Sequence, residues 1–383
     1  MNKITRKSFL KVLAATMVGG AAASALTGAA APVSIDETNG KVSRWVKNSL
    51  NPDGPLTIAK QGMFSSGGTV TAPVAGTYDA TTNWLDTTRA GNTAHVDHAN
   101  VLYQIPADSN GWPMVYLHGY GQSRMGWITT PDGRQGWADL FLRNGYSAFL
   151  VDQPRRGEAG STAQMSTDGF LDAWSADSKD YKPGDQAWYT HFRIGRVAPE
   201  RYEGSQFPEG DAAQNQFFRQ MTPNTGDFDQ AVAAAALGEV MKDVQTLTGH
   251  KSIFVTHSQG GAVGWDVPAD NIAAIVAIEP GGTPAIGSEQ YTKLLSAGIP
   301  IALYFGDYID NGPEDIMSTS FWRQVRDGAL AFAAQYNADG GDCTVVDLPK
   351  IGITGNSHFM FQELNNKEIA DNIYQWLESR ALA

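Results

Sequence analysis

Lys251-Ser-Ile-Phe-Val-Thr-His-Ser-Gln-Gly-Gly-Ala262 decides the fold. Ser252 to Val255 is a short run of apolar, β-branched and aromatic residues, the composition of a parallel strand buried on both faces. It runs into Thr256-His-Ser-Gln-Gly-Gly261, whose small residues predict a sharp turn and then a short helix that Pro268 ends. A strand, a sharp turn and a helix are the setting in which a G-x-S-x-G sequence lifts a serine hydroxyl above a sheet edge. Here Thr256 stands at the first glycine. Gly260 lets the helix pack close, and the helix N-terminus points N–H groups at any charge developing beside Ser258. A serine in a glycine-rich turn is also an ordinary surface feature, so the reading depends on partner residues elsewhere.

The chain around this stretch alternates strand and helix. Upstream, Trp112-Pro-Met-Val-Tyr-Leu-His118 is a buried strand ending in a Gly-rich turn through Gly121, and Gly136 to Gly145 is helix-compatible text closed by Asn144-Gly145. Tyr146-Ser-Ala-Phe-Leu-Val-Asp152 is the next buried strand, so the three make a right-handed parallel crossover. The Ala-rich helix from Asp229 leads into the Ser258 strand. Downstream, Ile272–Ile278, Ile299–Phe305 and Cys343–Leu348 read as strands, Phe321–Tyr336 and Asn366–Leu377 as helices. Repeated alternation predicts an α/β fold: a mainly parallel central sheet with helices on both faces. Between Pro55 and Pro106 the Gly/Thr-rich text predicts two antiparallel edge strands joined by a long loop.

Residues 155–228 interrupt the alternation. They are rich in Gly, Pro and Gln and carry Trp174, Tyr181, Trp188, Tyr189, Phe192, Tyr202, Phe207, Phe217 and Phe218. A connection this long holds structure of its own or acts as a lid, and so many aromatics on a plain surface loop would lack a role. We read an inserted cap over the carboxyl edge of the sheet.

Composition narrows the function. The net charge is −12 and the basic residues are scattered, which excludes a nucleic-acid partner. The single cysteine, Cys343, rules out an intrachain disulfide and any Cys-based metal cluster. His95-Val-Asp97-His98 invites a metal reading, but two His three apart cannot share one face of a strand, so no metal is expected there; no cofactor is expected either, because the serine chemistry read below needs none. At the N-terminus, Lys3, Arg6, Lys7 and Lys11 flank an apolar Ala/Gly-rich run from Val12 to about Ala31, with no acid before Asp36. That pattern predicts an export signal over residues 1–30 and a catalytic domain over 31–383, located in the periplasm or secreted. Thr5-Arg-Lys-Ser-Phe-Leu-Lys11 resembles the twin-arginine export motif, with Lys7 where the second Arg is usual. Gly19, Gly20, Ser24, Thr27 and Gly28 make the run too weakly apolar for a membrane anchor, and no other stretch reaches the roughly 20 apolar residues that span a bilayer.

Sites on such sheets lie at the carboxyl ends of strands. Those ends carry His118, Asp152, Ser258, Glu279, Asp307 and Asp310, with His358 in the turn-rich loop Gly352-Ile-Thr-Gly-Asn-Ser-His358 after the last strand. Serine hydrolysis needs a nucleophile, a base and a buried acid that orients the base. Ser258, an acid and then His358 is the chain order expected for an α/β-hydrolase, and His358 is the only histidine after the acids. His257 points elsewhere on the turn and reads as structural. The N–H groups of Gln259 and Tyr120 are the candidate oxyanion hole, with Gly119 and Gly121 keeping the approach clear. Two acids compete for the third role. Asp307 ends the strand usually used; Glu279 ends the one before it, its longer side chain able to reach the same imidazole and Pro280-Gly-Gly282 able to turn it inward. The residues alone leave this choice open.

Trp127-Ile-Thr-Thr-Pro-Asp-Gly-Arg-Gln-Gly-Trp137, Arg143-Asn-Gly-Tyr146, Asp152-Gln-Pro154, His257-Ser-Gln259, Glu279-Pro-Gly281 and Gly355-Asn-Ser-His358 together resemble a small family of exported bacterial carboxylesterases. The similarity runs from about Pro55 to the C-terminus and includes Gln206-Phe-Pro208 of the insertion. Members are α/β-hydrolases with a Glu one strand early, so the resemblance implies Ser258 as nucleophile, His358 as base and Glu279 as acid. Members can carry adjacent cysteines after the His-Gly of the oxyanion loop; this chain has Tyr120-Gly121.

The reading is a serine carboxylesterase acting on a small-molecule ester through an acyl-enzyme. Its rivals are lactone or amide hydrolysis or acyl transfer by the same residues, and an inactive hydrolase scaffold that binds a ligand. A haloalkane dehalogenase would need a carboxylate where Ser258 stands.

Overall fold

The computed structural model describes residues 54–72, 74–82, 90–162 and 185–383. The export segment read over residues 1–30, and Trp174 and Tyr181 of the insertion, lie outside them.

The first strands are β1 (Ile58–Ser66), β2 (Thr69–Thr71), β3 (Ala94–Val96) and β4 (Ala99–Pro106). β1 and β4 pair antiparallel from Ser66 opposite Ala99 to Ile58 opposite Pro106. β1 is the sheet edge; β4 lies one position in, because its other side pairs antiparallel with β6 (Ser147–Asp152). Within the loop that joins them, β2 and β3 form a small separate sheet that the Gly/Thr-rich text does not announce. Asp97 breaks the chain between β3 and β4 with φ 58°, and both its oxygens bind the Arg155 guanidinium at 2.9 and 3.1 Å. Among the described residues no group of three His, Cys, Asp or Glu is placed to hold a metal ion.

The remaining strands are β5 (Pro113–Leu117), β7 (Gly195–Val197), β8 (Glu200–Arg201), β9 (Ser252–His257), β10 (Ile272–Ile278), β11 (Ile301–Phe305) and β12 (Cys343–Asp347). The eight-stranded sheet runs β1-β4-β6-β5-β9-β10-β11-β12, and every pair from β6 onward is parallel. The helices are α1 (Met125–Ile128), α2 (Trp137–Arg143), α3 (Asp185–His191), α4 (Asp211–Arg219), α5 (Gln230–Thr248), α6 (Gln259–Gly264), α7 (Glu289–Ser296), α8 (Met317–Ala338) and α9 (Asn366–Glu378). β5, β6, β9 and β11 are buried at every position, which requires cover on both faces and explains their unbroken apolar runs. α5 lies against β1, β4, β5 and β9, α2 against β4 and β6, and α8 against β12.

The described part of the 155–228 insertion folds into α3, the β7–β8 hairpin and α4. Trp188, Tyr189, Phe192, Phe207, Phe217 and Phe218 are all buried. The segment is bonded to the loop after β12: the Gln206 N–H donates to Gly355 O at 2.7 Å, and the Leu364 N–H to Gln206 O at 2.8 Å. The described part of the aromatic-rich excursion therefore sits against the loop that follows β12, on the face where the parallel strands end. No helix among the described residues is long and apolar enough to cross a membrane.

Candidate active site

Ser258 occupies the turn between β9 and α6 with φ 54° and ψ −118°, a conformation that L-residues adopt only when their surroundings impose it. The surroundings here are close. A Cβ on Gly260 would stand 2.4 Å from His118 O, and one on Gly119 would stand 2.8 Å from the Ser258 Cβ. The glycines thus let α6 and the β5 loop converge on the serine. The turn is laced to its neighbours: the Ser258 N–H donates to Ile278 O at 3.0 Å, and Ser258 O accepts from the Gly281 N–H at 2.8 Å.

Glu279 follows β10 directly, with φ 40°, and is fully buried. Its Oε2 lies 2.6 Å from His358 Nδ1. Its Oε1 accepts from the Gly306 N–H at 2.8 Å and from Arg193 Nη2. Burial alone pushes this carboxyl up, but Arg193 and His358 outweigh it and hold Glu279 down at about 2, so it is ionised. Asp307 is bonded elsewhere. Its Oδ1 accepts from the Tyr308 N–H at 2.7 Å and its Oδ2 from the Gly355 N–H at 2.8 Å. Of the two competing acids the structure brings Glu279 to His358.

His358 is buried among rings: Phe192 stacks on it at 4.7 Å, with Trp322 at 4.3 Å and His257 at 4.4 Å. Burial lowers its pKa, Glu279 raises it and Arg193 lowers it, with a net fall below the ordinary histidine value. Its N–H donates to Phe192 O at 3.1 Å, and its Nε2 makes no hydrogen bond with the protein. Phe192 and Arg193 both come from the insertion, which therefore supplies one wall of this site. His257 Nε2 lies 3.0 Å from His358 O. Because a carbonyl only accepts, that nitrogen carries the proton. Burial first and His358 second keep the ring well below its usual pKa, and it acts as a neutral brace.

The loop read from the sequence as the candidate oxyanion loop follows the end of β5. His118 Nε2 accepts from the Gln153 N–H at 3.3 Å, leaving Nδ1–H to donate to Gly119 O at 2.9 Å. Burial and Arg156 push His118 down to about 4, so this bridge is neutral. Arg156 Nη1 donates to Gly119 O at 3.3 Å and Gln122 O at 3.2 Å, and its guanidinium lies 5.8 Å from the Tyr120 ring centre. The other side of Tyr120 meets Trp188, at 5.9 Å. The Tyr120-Gly121 loop is thus held by a buried arginine and a tryptophan of the insertion. Gln259 begins α6, so its N–H has no intrahelical acceptor, and its side chain accepts from Gln153 Nε2 at 3.2 Å. Asp152 is taken up by the N–H groups of Arg124 and Glu158, and Asp310 by Arg326.

Two contributions escape the sequence. Arg193 stands 86 residues before Glu279, inside a segment with no periodicity to orient it. Glu363 is fully buried and accepts from the Ser357 N–H at 3.0 Å and Asn356 Nδ2 at 2.8 Å, clamping the loop that carries His358. Each has only its residue type as a signal.

A serine at a strained strand-to-helix turn and a His–carboxylate pair, both at strand ends of an eight-stranded, mostly parallel sheet, are the elements that a serine hydrolase would use. No family model matches the chain. A bacterial esterase of known structure is 31% identical, over 87% of this chain and 99% of that one, with a TM-score of 0.69. A probable secreted lipase, phiG, from Fungal sp. (strain ATCC 74256) is 27% identical over 316 residues, covering 70% of this chain and 82% of that protein. The chain belongs to the esterase and lipase family of the α/β-hydrolase fold, and is a carboxylic-ester hydrolase.

Proposed function

We propose that this enzyme is an exported serine carboxylesterase that works through an acyl-enzyme. Ser258 Oγ attacks the ester carbonyl while His358 Nε2 takes its proton, and the tetrahedral oxyanion is received by the N–H groups of Gln259 and Tyr120. Collapse expels the alcohol, which leaves with the proton from His358. Water then attacks the acyl-serine by the same route, releasing the acid and restoring Ser258. Glu279 keeps the imidazole in the tautomer with Nδ1–H and stabilises the imidazolium that forms in each half-reaction. Three side chains, two backbone N–H groups and water carry these steps.

The observation that carries this reading is the 2.6 Å contact between His358 Nδ1 and Glu279 Oε2. It leaves Nε2 as the free, basic nitrogen, without a protein partner. The bond from Ser258 Oγ to Nε2 closes in the substrate complex, as catalytic hydrogen bonds commonly do. The described part of the 155–228 insertion acts as a cap: Trp188 and Phe192 place apolar rings beside Tyr120 and His358, which suits an ester with an apolar acyl or alcohol part. The basic, Ala/Gly-rich N-terminal text, with a relative named as secreted, supports export.

A fluorophosphonate probe tests the nucleophile. It should label the purified wild type at Ser258 and leave Ser258→Ala unlabelled; a wild type that does not react would remove the mechanism.

A further inference from the structure

Arg193 is an unusual residue to find beside a catalytic carboxylate. It is 1% exposed, it comes from the insertion rather than the sheet, and its backbone takes φ 61°. Its Nη2 donates to Glu279 Oε1, and its Nε donates to Asp307 O at 3.0 Å, so the guanidinium bridges the ends of β10 and β11. Its plane lies over Trp322, 5.4 Å from the ring centre, and that ring in turn packs on His358 at 4.3 Å. Phe192, the preceding residue, stacks on the imidazole and accepts the His358 N–H. One short piece of the insertion therefore holds both the acid and the base.

We infer that Arg193 is a positioning residue for ester hydrolysis: it locks Glu279 Oε1 and turns Oε2 to His358. This rests on the Ser258–His358–Glu279 mechanism proposed above. The physical reason lies in the longer reach of a glutamate. A Glu side chain has one more rotatable bond than Asp, and a single N–H from Gly306 leaves it free to swing. A second donor, charged and immobile, removes that freedom. The same positive charge opposes protonation of the pair, whichever of its two sites takes the proton.

The other groups around the pair are accounted for. His257, at the end of β9, is held neutral by burial and by His358. Asp307, at the end of β11, is engaged by the Tyr308 and Gly355 N–H groups. Glu363, on the loop that carries His358, is raised to about 7 by burial, against the hydrogen bonds of Ser357 and Asn356. All three are unchanged in the variants below, so a difference between variants belongs to Arg193.

The test is the pH profile of kcat/KM for a short-chain aryl ester, measured for wild type, Arg193→Gln, Glu279→Gln and the double variant. The wild-type acid limb should lie below the ordinary histidine value of about 6.5. Arg193→Gln should lose about 30-fold or more in kcat/KM, with the acid limb moved up by about one pH unit. In the Glu279→Gln background the same change should cost less than about threefold, because residues acting as a unit are not additive. An unmoved limb, or an equal loss in both backgrounds, overturns the assignment. If Arg193→Gln does not fold, Arg193→Lys carries the same comparison: a loss confined to the Glu279 background supports it, and no loss or an additive one overturns it. A Glu279→Gln enzyme that keeps activity within about tenfold removes the underlying mechanism instead, and Arg193 with it.

Discussion

At the scale of single residues, the choice between Glu279 and Asp307 turns on which carboxylate is already spent. Asp307 has both oxygens on backbone N–H groups, of Tyr308 and Gly355, and so shapes the loop entering His358. Glu279 has one oxygen engaged and one on the imidazole. The chain bends to allow this, for Glu279 takes a positive φ that a residue with a side chain avoids unless its neighbours enforce it. Glu279→Gln should therefore lower turnover by about 10⁴, since an amide presents the wrong partner to Nδ1. Asp307→Asn should stay within about tenfold, or roughly 1.4 kcal/mol. Steady-state turnover of an aryl ester by the two variants checks the ordering, and the reverse ordering would give the acid's role to Asp307.

At the scale of elements, those that carry their own start signals were legible and those that borrow them were not. α5 begins where the residues say, because Asp229 Oδ1 accepts from the Ala231 and Val232 N–H groups at 3.0 and 3.1 Å. α8 begins at Met317, four residues before the Phe321 read from the pattern; its N-cap is Ile316, which offers no side-chain acceptor. Similarly β11 begins at Ile301 rather than Ile299, since the Ile299 N–H closes the end of α7 on Leu294 O and Pro300 has no N–H to give. β2 and β3 fall within the strand-like text of the two edge strands, and three-residue strands are too short to show a period that would set them apart as a second sheet. The cap on α5 has a measurable worth. Asp229→Ala should cost about 1 kcal/mol, seen as a lower urea midpoint with an unchanged slope. A midpoint equal to wild type would mean that burial of the helix, not its cap, sets its stability.

At the scale of the whole molecule, the proposed site is assembled from five places far apart in the chain: the loop after β5, the turn after β9, the end of β10, the loop after β12 and the described part of the 155–228 insertion. Export belongs to this scale too. The basic, then Ala/Gly-rich, leader predicts that mature enzyme is recovered outside the cytoplasm with its N-terminus near residue 31. Mass spectrometry of the recovered protein checks it, and full-length protein held in the membrane fraction would point to an anchor instead. The sequence by itself determined the α/β alternation, the serine turn and its histidine, because hydrophobic period, glycine spacing and chain order are local or one-dimensional signals. The family resemblance pointed to Glu279 as the acid, but local pattern left it level with Asp307; only the tertiary structure shows Glu279 Oε2 on His358 Nδ1 and Arg193 behind it. Both depend on where the ends of β10 and β11 and the insertion come to lie, and buried contacts between residues 79 and 86 positions apart leave no trace in local pattern.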